Sequence, residues 1–100
     1  MKTGAEMIAD ERRRQVDEEG HHATHDEKHA AGGNSGKPGL VQAAVCYAES
    51  AIGEPEAALR QKWPWDAKSW KPKTPIRDLV RAGALIAAEL DRRIRAGETH

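Results

Sequence analysis

Thr74-Pro75-Ile76-Arg77-Asp78-Leu79-Val80-Arg81-Ala82-Gly83-Ala84-Leu85-Ile86-Ala87-Ala88-Glu89-Leu90-Asp91-Arg92-Arg93-Ile94-Arg95-Ala96-Gly97 is the stretch that decides the fold. Thr74 is a good N-cap, Pro75 suits the first helical position, where its missing N–H costs nothing, and Gly97 is a typical helix stop. Between them Ile76, Leu79, Val80, Gly83, Ile86, Ala87, Leu90 and Ile94 recur at helical spacing, which predicts one long amphipathic helix with this stripe as its buried face. Gly83 weakens a helix, so its place on the stripe points to close contact with another helix. Most of the arginines fall on the outer side, and Glu89 sits at the edge of the buried face.

Working outward, Leu40 to about Ile52 is a second apolar helix: Leu40, Ala44, Tyr47, Ala48 and Ala51 share a face that Val41, Val45 and Ile52 broaden. Its small residues permit close approach of a neighbour. Gly53-Glu54-Pro55 breaks it, and Pro55 opens a short helix through about Gln61. A third main helix spans about Ala5 to Glu19, with Thr3 and Glu6 at capping-box spacing and Gly20 as its stop. Of Arg12, Arg13 and Arg14, at 100° per residue, at least one must point into the domain toward a carboxylate or phosphate. Thr24 and Glu27 form a second capping-box pair, predicting a short helix from His25 to about Ala31. Residues 32–39 read as a Gly-rich flexible connector.

No stretch alternates like a strand and no repeat is present. The expectation is a single all-α domain over residues 1–100: a small bundle of three main helices and one or two short ones, with a Trp/Pro-rich loop at 63–73.

The bulk composition narrows the function. The chain has 100 residues, 38% hydrophobic and 32% charged, with no Phe. An Ala-rich core of this size is thin, so self-association into a homo-oligomer is expected as a way of burying more. Sixteen basic and sixteen acidic side chains balance to zero net charge, which argues against a duplex nucleic acid partner. Cys46 is the single cysteine, and no apolar run approaches a membrane span; a cytoplasmic protein is expected.

Three constellations carry chemistry. All three tryptophans fall in Trp63-Pro64-Trp65-Asp66-Ala67-Lys68-Ser69-Trp70-Lys71-Pro72-Lys73. Exposed indoles would stack on bases with the lysines at phosphates, whereas buried ones would cap the thin core and each need a hydrogen-bond acceptor. His22, His25, Asp26 and His29 form a polar cluster in which His25 and His29 stand one turn apart. With Glu11, Glu49 or Glu89 it offers donors for a divalent ion, although a solvated polar turn is the simpler reading. Cys46, mid-helix between Val45 and Tyr47, reads as a small inert hydrophobe.

Glu11-Arg12-x-Arg14-Gln15, His25-Asp26-x-x-His29, Trp63-Pro64-Trp65, Trp70-Lys71-Pro72 and Leu79-Val80-x-Ala82-Gly83-Ala84-Leu85-Ile86-x-Ala88-Glu89-Leu90-Asp91-Arg92 together resemble a family of small phage and prophage proteins, over nearly the whole chain. The family is largely without an assigned function, so the resemblance implies a setting, the host cytoplasm, rather than a reaction. Its members usually carry Gly-Glu-Leu after the histidine segment, where this chain has Gly36-Lys37-Pro38-Gly39-Leu40.

The leading expectation is a non-enzymatic protein that sequesters a nucleotide-like small molecule, such as a host immune signal. Trp65 or Trp70 would stack on the base, Lys71 and Arg12 would meet phosphate, and His25 and His29 would bond the remainder, with no cofactor. The alternative is a nucleotide pyrophosphohydrolase resembling the all-α MazG-like enzymes, using Mg²⁺ or Mn²⁺ on Glu11, Asp26, Glu49 and Glu89. A third reading is a protein-interaction module with the Trp loop as its hot spot.

Overall fold

The computed structural model describes residues 1–18 and 39–99. These form four α-helices, α1 (Gly4–Glu18), α2 (Gly39–Ala51), α3 (Glu56–Lys62) and α4 (Pro75–Arg95), with a 3-10 turn at Ala67–Ser69 and no strand among the described residues. The fold is all-α. The short helix expected from His25, and connector positions 32–38, lie outside the described residues.

Helices α1 and α4 begin where their capping chemistry says they should. Thr3 and Glu6 make the reciprocal box: Thr3 N–H donates to Glu6 Oε1 at 2.9 Å and Glu6 N–H to Thr3 Oγ1 at 3.2 Å. At α4 the Thr74 hydroxyl accepts from Arg77 N–H at 3.2 Å, with Pro75 next in line. Gly97 closes α4 at φ +87°, a left-handed angle that a side chain would strain.

α4 is the hub: α1 and α2 both pack on it, and α3 packs on α2. The core joins Leu40, Ala43, Ala44, Cys46 and Tyr47 of α2 to Ala82, Leu85 and Ala88 of α4, sealed by Leu59, Trp63 and Trp70. Gly83 marks the crossing with α1, since a Cβ there would lie 2.5 Å from Ile8 Cδ1. Only glycine lets the two helices come this close without displacing Ile8.

The buried face of α4 differs from the one its periodicity suggests. Val80, Ala82, Ala84, Leu85 and Ala88 are buried, whereas Ile76, Leu79, Ile86, Leu90 and Ile94 are 49–67% exposed. The reason is steric. Close helix pairs select small side chains at the contact, so the alanines take the inner positions and the large aliphatics are left outside. The second helix shows the same preference: Ala43 and Ala44 are buried, while Val41, Val45 and Ile52 are exposed. Among the described residues no helix is long and apolar enough to cross a membrane.

Candidate functional site

The Trp loop is built as part of the core. It leaves α3 at Trp63, makes a 3-10 turn capped by Asp66, whose side chain accepts from Lys68 N–H at 3.0 Å, and returns to α4. Trp63 and Trp70 are each 6% exposed. Their centroids lie 4.8 Å apart, and Tyr47 meets Trp63 edge-on at 5.4 Å and Trp70 at 5.0 Å. Trp65 is half-buried, edge-on to Trp63 at 5.3 Å. The Trp63 indole N–H is satisfied locally by the Asp66 carbonyl and Ser69 Oγ, both at 3.1 Å. The Trp70 indole nitrogen has no acceptor among the described residues.

Two polar residues fasten this loop. Asp78, 2% exposed, accepts from Lys73 N–H at 2.8 Å and from Ser50 Oγ at 3.2 Å, tying the end of the loop and the end of α2 to the first turn of α4. Arg81 donates to the Lys71 carbonyl at 2.6 Å and lies 5.6 Å from the centroid of the Tyr47 ring. Burial pushes the Tyr47 hydroxyl up, against the opposing pull of Arg81. Neither Asp78 nor Arg81 stands out in the sequence, because an acid in the first turn and an arginine beside an apolar stripe are ordinary helix features.

These placements bear on each expected binding residue. Trp70 is enclosed by Tyr47 and Trp63, so a base stacking on it would have to displace one of them. Trp65 is the loop indole with the most exposed surface, and the Lys71 side chain is exposed. Arg12 is bound elsewhere: its guanidinium reaches Asp91 Oδ2 at 3.2 Å, in the last third of α4. Lys71 is anchored at Arg81, ten positions earlier, a rise of about 15 Å along the helix. The structure therefore does not gather Arg12 and Lys71 at one point. His25 and His29 lie outside the described residues.

The expected metal carboxylates are engaged with cations. Glu11, 3% exposed, accepts from Arg14 at 2.6 and 3.0 Å, from Arg77 at 2.7 Å and from Gln15 at 3.3 Å. Burial pushes its carboxyl up, but the hydrogen bonds and charges of Arg14 and Arg77 outweigh it and hold the group at about 2. Glu89 is held below its usual range chiefly by Arg92, with burial opposing and Arg93 adding to the effect. Glu49 pairs with Lys62 at 3.2 Å. Among the described residues no three His, Cys, Asp or Glu side chains gather as a metal site; Asp26 lies outside those residues. Glu11, Glu49 and Glu89 each pair with a basic side chain, so a divalent ion at any of them would have to displace that cation.

A concave surface lies on the other side of α4. A groove of about 670 Å³ runs between α1 and α4, with Ala5, Ile8, Ala9, Val16 and Ala87 as apolar lining and Arg12, Arg13, Asp17 and Asp91 as charged residues. The exposed Ile76, Leu79, Ile86, Leu90 and Ile94 belong to the same helix. The sequence pattern identified these five residues, but assigned them to the core. Comparison of the chain with protein-family models, with curated proteins and with solved structures gave no match, so the functional reading rests on the geometry of this chain alone.

Proposed function

We propose that this is a non-catalytic cytoplasmic interaction protein whose working surface is the uncovered aliphatic stripe of α4, with the Trp loop acting as the scaffold that holds α4 in place. One observation carries this reading. Ile76, Leu79, Ile86, Leu90 and Ile94 stay half to two-thirds exposed while Asp78 and Glu89 of the same helix are buried. A contiguous apolar strip on a helix is costly to leave in water and marks a contact surface.

A second reading, capture of a nucleotide-derived ligand such as a host immune signal, keeps support from the α1–α4 groove. Its volume of about 670 Å³ falls within the range of small-molecule sites, and Arg12 and Arg13 line it. The groove offers no aromatic ring among the residues lining it, so stacking would have to come from Trp65 in the loop.

Thermal-shift measurements separate the two. The interaction reading expects no rise in melting temperature with mono-, di- or cyclic nucleotides, no pyrophosphate release with Mg²⁺ or Mn²⁺, and bright fluorescence of an apolar dye that falls in a Leu79→Ser/Ile86→Ser variant. A nucleotide-induced rise abolished by Arg12→Ala would overturn it in favour of the small-ligand reading. Pyrophosphate release would overturn both.

A further inference from the structure

Resting on the interaction reading, we propose that the open side of the α2–α4 pair is a homodimer face, on which two copies stack into a four-helix bundle. Ser50, at the end of α2, bonds Asp78 at the start of α4, so the two helices run antiparallel side by side. α3 and the Trp loop close one side of this pair. There the Cys46 thiol of α2 donates to the Leu59 carbonyl at 3.8 Å, and Arg81 of α4 donates to the Lys71 carbonyl at 2.6 Å. At about 100° per residue, Val41 and Val45 stand roughly 100–140° round α2 from Cys46, and Ile52 follows them just past the helix end. Leu79, Ile86 and Leu90 stand roughly 140–180° round α4 from Arg81. Both rows therefore look away from the loop, and their members are 39–77% exposed. Gly83, covered by Ile8 of α1, takes no part in this face.

Spacing, area and polarity together select a second copy. Val41, Val45, Ala48 and Ile52 follow one another at steps of four, three and four, the alternation of a helical-bundle seam. The element that covers them is therefore helical, and a second copy brings two helices with matching rows. The six exposed aliphatic side chains leave on the order of 500 Å² of apolar surface in water. At the ~65% apolar share of a homodimer interface this corresponds to ~800 Å² per partner, the standard size for a stable complex. The six residues carry no charge, so the face needs no counter-charge from a partner and is its own complement about a two-fold axis. Arg93, at its edge, is neutralised within the chain by Glu89 at 2.7 Å and Glu98 at 3.1 Å. The face has no Trp, Tyr or Arg anchor at its centre, which sets the dimer at the micromolar end of the range for this area.

Sedimentation velocity from about 1 to about 500 µM tests the proposal. The expected result is a monomer passing to a dimer, with an apolar dye brightest in dilute protein and dimming as the face closes. Val45→Glu and Ile86→Glu, one on each helix, should each weaken association by about 100-fold or more while circular dichroism stays native. Val45→Ser and Ile86→Ser, expected to weaken it by about 10-fold, serve where a glutamate unfolds the chain. A wild type that stays monomeric throughout, or a dimer indifferent to both positions, overturns the face. A dimer broken at only one of the two positions also overturns it, since the face needs both helices. The interaction reading is scored separately. A monomeric wild type whose dye binding falls in Leu79→Ser/Ile86→Ser keeps that reading with a different partner, and one that binds no dye loses both.

Discussion

The two sides of α4 are both apolar, and they are treated in opposite ways. The side toward α2 carries Ala82, Leu85 and Ala88, meets Tyr47, Trp63 and Trp70, and has its buried Asp78 satisfied by Lys73 N–H and Ser50 Oγ. The outer side carries larger aliphatics, Ile76, Leu79, Ile86, Leu90 and Ile94, and among the described residues nothing covers them to the same degree. Volume alone would predict the reverse. The difference shows that the thin core is set by how closely helices approach. Alanine and glycine allow that approach, and the tryptophans fill the space left at its edge.

Substitutions on the two sides should therefore differ in kind. The largest effect is expected for Trp63→Ala, which removes an indole touching Tyr47, Trp65 and Trp70 and should cost about 3–5 kcal/mol in chemical denaturation. Asp78→Ala should cost about 2–3 kcal/mol, since it leaves the Lys73 N–H without its acceptor and releases the loop from α4. Glu11→Gln should cost less, about 1–2 kcal/mol, because Arg14 and Arg77 remain 35% and 41% exposed and water screens what they lose. The acid limb of stability should report the same group. Its folded pKa of about 2 lies below the ordinary 4.5, so its contribution is complete above about pH 4.5 and fades as pH falls toward 2. Glu11→Gln should flatten that limb. The smallest effect on stability is expected for Leu79→Ser, within about 0.5 kcal/mol, because its side chain is already half in water. A loss of several kcal/mol there would erase the distinction between the two sides.

Much of this architecture can be read from the sequence, because local chemistry fixes it. Thr3 with Glu6, Thr74 with Pro75, and Gly97 act within one turn, and their signals survive without knowledge of the neighbours. Gly83 is legible for a related reason: a glycine on an apolar helix stripe has few explanations besides a close crossing, and Ile8 supplies it. The choice of inner face was not legible. Periodicity names the stripe of large aliphatics, and only the positions of α1 and α2 show that the alanine-bearing sides of α4 are the inner ones. The loop was half legible. Clustering shows that Trp63, Trp65 and Trp70 act together, but burial of Trp63 and Trp70 depends on Tyr47, sixteen or more positions away from either in sequence. Asp78 gave no signal, since its partners come from the loop backbone and from α2.

The central claim is that contact with a partner is made by the α4 stripe and not by the Trp loop. The most direct measurement is the fluorescence of an apolar dye with three proteins at one concentration: wild type, Leu79→Ser/Ile86→Ser and Trp65→Ala. Bright fluorescence is expected for wild type and for Trp65→Ala, and a clear fall for Leu79→Ser/Ile86→Ser. Fluorescence lost in Trp65→Ala but kept in Leu79→Ser/Ile86→Ser would contradict this and return the contact surface to the loop.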